Sequence, residues 1–364
     1  MQPFVYSSLP QTVRFGHGTL AGLGAELARL GIARALLLTT PEQSALAAQA
    51  MAAADGRIAG HFHGAAMHTP VTVTEAALAM LKDVQADGLV AIGGGSTTGL
   101  AKALNLRSGL PQVVIPTTYA GSEMTPILGE TAEGRKVTQR DPRLLPGSVI
   151  YDVDLTYSLP PHLSAVSGMN AMAHAVEALY ARDANPVIDL MAAESVASLA
   201  KTLPAIIADP LDAEARGQGL YGAWLAGICL GNVGMALHHK LCHVLGGSFD
   251  LPHAETHCVV LPYALACNAP FAEKAVQRLS AALGHADPAR ALWDLAGRLN
   301  APRSLAALGL AESALERAAD IAAENPYWNP RPLNRDLLLA VLRQAHAGQA
   351  PVAPQPASPD GMKT

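Results

Sequence analysis

The feature that most narrows the fold is Asp87-Gly-Leu-Val-Ala-Ile-Gly-Gly-Gly-Ser96, a short apolar run entering three glycines and then a helix-like stretch, Thr97 to Asn105. A run this apolar, bounded by turn residues, reads as a strand buried on both faces, which requires a parallel sheet covered by helices. Glycine permits the tight strand-to-helix turn and also lets a diphosphate approach the backbone. Amides unpaired at the helix N-terminus, reinforced by the helix dipole, can hold a phosphate oxygen. Gly93, Gly94, Gly95 and Ser96 therefore form a candidate pyrophosphate cradle, although three adjacent glycines also suit a plain turn. The segment is neither Gly-x-Gly-x-x-Gly nor a P-loop, because no Gly-Lys-Ser/Thr follows and Lys102 sits more than a helix turn downstream.

The same alternation runs through the first half of the chain. Ala35 to Leu38 reads as a strand, Glu42 to Ala53 as a helix, and Val113 to Ile115 as a strand ending at Pro116. After Asp152 the pattern changes to long Ala-rich segments at helical spacing, interrupted by Pro186, Pro204, Pro210, Pro252 and Pro262. With 364 residues, more than one domain usually needs, three regions are expected. Residues 1–155 form an α/β N-terminal nucleotide-binding domain with a parallel sheet, and residues 156–348 an all-helical C-terminal catalytic domain. Residues 349–364, dense in proline and poor in charge, form a disordered tail.

Charge excludes some partners. Lys and Arg number 25 against 30 Asp and Glu, and no basic stripe breaks the balance, so neither nucleic acid nor an anionic membrane is an expected partner. No run of about 18 uncharged apolar residues supports a membrane span, and the N-terminus lacks a secretory pattern, so the cytoplasm is the expected location. Cys229, Cys242, Cys258 and Cys267 include no Cys-x-x-Cys spacing and read as buried reduced thiols.

Two further segments carry chemistry. Ile115-Pro-Thr-Thr-Tyr-Ala-Gly-Ser-Glu-Met-Thr125 ends the next strand in hydroxyls and glycine. Loops at the carboxyl ends of successive parallel strands converge on one crevice, which suits a dinucleotide. In the second half, Asn170 and His174 are four apart on one helix, hence on one face. His238, His239, His243, His253 and His257 then crowd into twenty residues. Imidazoles converging from two or three directions suit a divalent metal or a metal-free proton-relay pocket, and composition does not choose between them. His238 and His257 are read as closer to ordinary core residues.

Together these residues resemble the iron-containing (group III) alcohol dehydrogenase family, whose members join a dehydroquinate-synthase-like nucleotide domain to a helical metal-binding domain. Five stretches carry the likeness: Gly93-Gly94-Gly95-Ser96 with Lys102; Pro116-Thr-Thr118 with Gly121-Ser-Glu123; Asp152-Val-Asp-Leu155 through Leu159-Pro-Pro161; Gly168-Met-Asn-Ala-Met-Ala-His174-Ala-Val-Glu177; and His239-x-x-x-His243 with Pro252-His253. The resemblance implies that Gly94, Gly95 and Ser96 hold the diphosphate, that Thr117 and Thr118 border the nicotinamide, and that His174, His239 and His253 are metal ligands. Asn170 stands where the family has a ligating aspartate, and a neutral amide oxygen stabilises a dication less than a carboxylate does, which sets bound iron or zinc in doubt. Gly99 also replaces an expected acid, and the threonine-glycine loop is one residue shorter.

These departures, with Tyr119-Ala-Gly-Ser-Glu-Met-Thr-Pro126, Met67-His-Thr-Pro70, Pro252-His-Ala-Glu-Thr-His257 and Asn325-Pro-Tyr-Trp-Asn-Pro-Arg331, look like the family's maleylacetate reductase branch. That branch reduces the carbon–carbon double bond of 2-maleylacetate to 3-oxoadipate with NADH or NADPH in bacterial breakdown of aromatics. In that reaction negative charge develops on the ketone oxygen, so a metal or a donating His243 or His253 is the expected stabiliser, with a histidine supplying the proton. Lys136, Arg331 and Tyr119, and secondarily Arg135 and Arg140, are the candidates for the dicarboxylate, although these charges equally suit a solvated loop. The first strand of the adenosine side ends at Thr40 without the acid that would read a ribose 2′-hydroxyl, so both NADH and NADPH are expected. Val13 to Gly18 is a candidate edge strand for a homodimer. The alternatives are a metal-dependent alcohol or polyol dehydrogenase of the same family, and a catalytically dead nucleotide sensor.

Overall fold

The computed structural model describes residues 4, 6–132 and 135–354, and at 132, 135 and 136 the backbone alone. The first half contains β1 (Thr12–Gly16), α1 (Leu23–Arg29), β2 (Ala35–Leu38), α2 (Ser44–Ala53), β3 (Ile58–Phe62), α3 (Val71–Asp83), β4 (Gly88–Gly93), α4 (Gly95–Ser108) and β5 (Gln112–Pro116). A hairpin of β6 (Ile127–Ala132) and β7 (Arg135–Arg140) follows, then β8 (Ser148–Asp152).

Six strands make one parallel sheet in the order β1-β8-β5-β4-β2-β3. Every residue of the four inner strands is buried, whereas the edge strands β1 and β3 are only half-buried. That is why the inner strands are nearly all apolar while the edges carry Arg14 and His61. Alternate side chains serve opposite layers. Leu36, Leu38, Leu89, Ala91 and Val114 pack with Ala77 and Leu81 of α3 and Leu100 and Leu104 of α4. Leu37, Val90, Ile92, Val113 and Ile115 pack with Leu23 and Leu27 of α1 and Ala47 and Ala50 of α2. The chain leaves β2 toward β3 on one side and leaves β4 toward β5 on the other. Their carboxyl ends therefore diverge and open the crevice where doubly wound sheets bind ligands.

The second half is helical: α5 (Pro161–Ala178), α6 (Pro186–Ala208), α7 (Ala213–Asn232), α8 (Leu237–Phe249), α9 (His253–Asn268), α10 (Glu273–Leu283), α11 (Pro288–Arg298), α12 (Leu315–Glu324) and α13 (Arg335–Ala347). Helix α5 is its axis, buried at every residue from Gly168 to Ala178 and packed on α6, α7 and α9. Its alanines and glycine permit this closeness, and Leu203 fills the space beside Gly168, where a Cβ would come within 2.4 Å. Helix α6 has the length and hydropathy to cross a membrane, but it packs against α5, α7 and α10. Helix α8 runs through Gly246-Gly247 to Phe249 and ends at Asp250, which takes the left-handed conformation (φ 54°). One expectation changes. The tail is not loose from Gln349. Pro351 and Pro354 are buried, and the Tyr263 hydroxyl donates to the Gln349 carbonyl (2.8 Å) and Arg331 Nη2 to that of Pro354 (2.9 Å). Residues 355–364 lie outside the described part.

Candidate active site

The cofactor side is built mostly of backbone. Gly93 takes φ +144°, and a Cβ there would lie 2.5 Å from Gln43 Oε1. Its carbonyl accepts from the Thr117 amide at 2.9 Å, while Thr97 Oγ1 and Thr98 Oγ1 donate to the Gly94 carbonyl at 2.8 and 3.2 Å. No side chain caps the start of α4, and nothing lies within 4 Å of a Cβ built at Gly95. The space and amides a diphosphate needs are thus present beside the half-buried Ser96. Thr118 Cγ2 lies 3.1 Å from a Cβ built at Gly94, bringing the second loop onto the first. Thr40 forms a capping box with Gln43, whose Oε1 accepts the Thr40 amide at 3.0 Å. The structure therefore gathers Thr40, Gly93, Gly94, Gly95, Ser96, Thr117 and Thr118 around one crevice.

Two neighbours explain features of the sequence. A Cβ at Gly99 would stand 2.4 Å from Thr69 Oγ1, so the Met67-His-Thr-Pro70 segment occupies the room an acid would need. Lys102 is fully buried and serves the fold. Its ammonium donates to the carbonyls of Ser122 (2.6 Å), Thr125 (2.6 Å) and Ile127 (2.9 Å) and to Thr125 Oγ1 (2.9 Å), tying down the loop that begins at Thr117. That loop then crosses to the helical half. Gly121, at φ +81°, packs against Gly227 of α7, and the Ala120 carbonyl lies 3.3 Å from His174 Nε2.

The histidine side is built of buried side chains. Asn170, His174 and Glu177 lie on α5, His238, His239 and His243 on α8, and His253 and His257 open α9. Glu177 organises them. Its Oε1 accepts the His238 amide (2.8 Å), while Oε2 accepts the Ala236 amide (2.8 Å) and His239 Nδ1 (2.7 Å). A carboxylate here also satisfies the unpaired amides that begin α8. With its Nδ1 proton directed to Glu177, His239 turns Nε2 toward His174 Nδ1 at 2.9 Å. Ring centroids of His239 and His257 are 5.1 Å apart, of His253 and His257 4.5 Å, and of His239 and His243 6.0 Å. His174, His239, His243 and His253 thus form one cluster. Burial, followed by repulsion from neighbouring imidazoles, holds His174, His238 and His257 well below the ordinary histidine range.

Two arrangements bear on a cation. Asn170 is 5% exposed, and its Oδ1 is buried without a hydrogen-bond partner among the described residues, as an atom reserved for a ligand would be. His239 is backed by Glu177 in the carboxylate–histidine pattern that raises ligand basicity. The donor set of Asn170, His174, His239 and His253 therefore fits a divalent metal. His238, Cys242 and His257 also sit together in the core. There His238 Nε2 and His257 Nδ1 are 2.8 Å apart and Cys242 Sγ lies 3.7 Å from His238 Nε2, so these three side chains contact one another in the core.

Three expected substrate contacts fare differently. Arg331 is 7% exposed and committed to the fold, donating to the carbonyls of Cys267 (3.1 Å) and Pro354 (2.9 Å), so it is withdrawn as a substrate ligand. Tyr119 is fully buried, its hydroxyl accepting from Arg216 Nη1 at 3.4 Å, and it too offers the substrate nothing. Lys136 pairs with Thr131 on β7, and its side chain, like that of Arg135, lies outside the described residues. Arg140 donates to the Gly231 carbonyl. Residues at the cluster that the sequence did not announce are Glu177 and Tyr327. Glu177 was legible in principle, since it lies three residues after His174 and seven after Asn170, on the same helical face. Tyr327 reaches the site across 84 residues, its hydroxyl 2.9 Å from His243 Nδ1, and no local pattern signals that.

A dinucleotide crevice on a parallel sheet, closed by a loop that ends on a buried histidine cluster, defines a nicotinamide-dependent oxidoreductase. Family models agree: the iron-containing alcohol dehydrogenase model matches residues 10–153, and the C-terminal model of the Fe-containing alcohol dehydrogenase family matches residues 164–346. The chain belongs to the iron-containing alcohol dehydrogenase family. It is 52% identical to a maleylacetate reductase of Sphingobium indicum over 349 residues, 96% of this chain and 99% of that one. The crystal structure of maleylacetate reductase from Rhizobium sp. strain MTP-10005 superposes with a TM-score of 0.93 at 51% identity, covering 96% of this chain and 100% of that one. A sulfoacetaldehyde reductase from Bifidobacterium kashiwanohense, solved in complex with NAD+, gives 0.87 at 25% identity over 95% and 99% of the two chains.

Proposed function

We propose that the chain reduces the carbon–carbon double bond of 2-maleylacetate to 3-oxoadipate with hydride from NADH or NADPH. The observation that carries the reading is the loop from Thr117 to Gly121, which lines the cofactor crevice at one end and meets His174 at the other. A nicotinamide held by the glycine loop would then lie next to the imidazoles, in a chain about half identical to enzymes named for this reaction.

Hydride adds to the alkene carbon remote from the ketone, and negative charge develops on the ketone oxygen. Preorganised donors at that oxygen are worth a few kcal/mol, of order 3, and His243 and His253 are the proposed donors. One of them then gives its proton to the adjacent carbon, forming the C–H bond as the N–H bond breaks. A cation must also meet the substrate carboxylates. Lys240, one turn before His243 on α8, is proposed in place of Arg331; burial lowers its ammonium from the ordinary lysine range, and Glu324 opposes that shift.

Asn170, His174, His239 and His253 are the residues that would hold a divalent metal, which when bound would polarise the ketone oxygen. The orphaned Asn170 oxygen and the Glu177-backed His239 support that occupancy. The proposed homodimer contact is the edge strand β1, which among the described residues pairs in its own sheet only with β8.

The deciding experiment follows reduced-nicotinamide absorbance with maleylacetate, with and without chelator, alongside elemental analysis. Oxidation of NADH and NADPH at comparable efficiency is expected. No oxidation with maleylacetate, but turnover of aldehydes that chelation abolishes, would replace this reading with a metal-dependent alcohol dehydrogenase.

A further inference from the structure

The segment between α12 and α13 is fastened to both helices that carry the catalytic imidazoles. Asn329 Oδ1 accepts the Leu237 amide at the start of α8 (3.3 Å) and Asn268 Nδ2 at the end of α9 (2.8 Å). Asn329 Nδ2 returns a bond to Asn268 Oδ1 (2.7 Å) and donates to the Arg331 carbonyl (2.8 Å). This double clamp fixes Tyr327, two residues earlier, against α8. Its hydroxyl meets His243 Nδ1 at 2.9 Å, and its ring lies under the Lys240 ammonium, 5.7 Å from the centroid.

We infer that Tyr327 is the positioning residue for His243 and selects its reactive tautomer, an inference that rests on the reduction proposed above. An imidazole can carry its single neutral-state proton on either nitrogen, and the hydrogen bond made by one nitrogen decides what the other does. A phenol at Nδ1 that donates its proton leaves Nδ1 as the acceptor and places the ring proton on Nε2. Burial holds the Tyr327 phenol above its ordinary range, so it stays a donor. The nitrogen that exchanges a proton with the substrate is then Nε2. After hydride addition, the Nε2–H bond breaks and the enolate pair takes that proton to form the new C–H bond. The negative charge passes to the ring, where the Tyr327 hydroxyl donating to Nδ1 holds it until solvent restores the Nε2 proton. Without the hydroxyl, the ring can rotate and populate the tautomer with its proton on the wrong nitrogen.

Tyr327→Phe tests this because it keeps the ring, its packing and its contact with Lys240 while removing one oxygen. Its kcat on maleylacetate should fall about tenfold, within the range seen when an orienting partner is removed, with KM for NADH unchanged. His243→Ala combined with Tyr327→Phe should be no slower than His243→Ala alone, because one residue acts through the other. Nitrogen-15 spectra of ring-labelled protein should place the His243 proton on Nε2 in the wild type and on both nitrogens in Tyr327→Phe. This readout needs neither substrate nor turnover. A wild type inactive on maleylacetate, with the expected spectra, would overturn the proposed reaction and leave the tautomer assignment standing. A Tyr327→Phe enzyme within twofold of wild type, a double variant carrying the product of both single losses, or unchanged spectra would overturn the inference.

Discussion

The two walls of the crevice are built from opposite materials. On the cofactor wall the groups facing the ligand are backbone amides and missing side chains, with Gly95 open to space and the threonine hydroxyls turned back onto the Gly94 carbonyl. On the histidine wall the groups are side chains in a water-poor core, running from Glu177, which also takes the amides that open α8, through His239 to His174. The first wall should therefore suffer when atoms are added, the second when atoms are removed, since a buried partner left unpaired costs more than the bond itself contributed.

Removal at Glu177 should be the harshest. Glu177→Ala strips the acceptor from the Ala236 and His238 amides and from His239 Nδ1. A loss of roughly 3–5 kcal/mol in chemical unfolding is expected, as when one member of a buried charged pair is deleted, and Glu177→Gln should lose clearly less. A melting curve for the alanine variant superimposable on wild type would show that the network does not hold α8. His243→Ala comes next and acts on rate: turnover should drop by roughly 10² with the fold intact, and near-normal turnover would remove His243 from the mechanism.

The cofactor wall answers with the contrast between two glycines. Gly93→Ala introduces a Cβ at φ +144°, 2.5 Å from Gln43 Oε1, so both stability and NADH affinity should fall, the latter by about tenfold or more for the 1–3 kcal/mol such backbone strain costs. Gly95→Ala meets no protein atom. Its melting temperature should match wild type while KM for NADH rises, because the methyl enters the diphosphate space. If both variants bind NADH normally, the glycine loop is a turn and the cradle lies elsewhere.

The difference in materials also explains what the sequence disclosed. The cofactor wall was legible because its chemistry is local. A strand, three glycines and a helix are contiguous, and the inner strands must be apolar to lie in a parallel sheet. The histidines were legible as a set through their spacing on α5, α8 and α9, yet their wiring was not. That Glu177 caps α8 depends on how two helices pack, and that Tyr327 reaches His243 depends on a clamp through Asn329 and Asn268. Arg331 was misassigned for the same reason. An arginine in an aromatic, proline-rich loop looks the same in sequence whether it faces a substrate or, as here, binds the carbonyls of Cys267 and Pro354. The disordered-tail reading changes with it at residues 349–354, which those bonds and the packing of Pro351 and Pro354 hold to the body, while residues 355–364 lie outside the described part.

Substrate charge supplies the smallest expected effects and separates two cations. Lys240 is half-buried beside Tyr327, and its four-carbon stem can bring a point charge to a carboxylate. Lys240→Met keeps the stem and removes the charge, so KM for maleylacetate should rise about tenfold, equivalent to about 1.4 kcal/mol, with KM for NADH unaltered. Arg331→Met should do the reverse. Two buried carbonyls lose their donor, which costs roughly 1–3 kcal/mol of stability and loosens the C-terminal segment, while KM for maleylacetate stays put. A rise in KM at Arg331 with unchanged stability would return that residue to the substrate and remove Lys240 as the anchor. The two substitutions delete one positive charge each, so any difference between them reports location and not net charge.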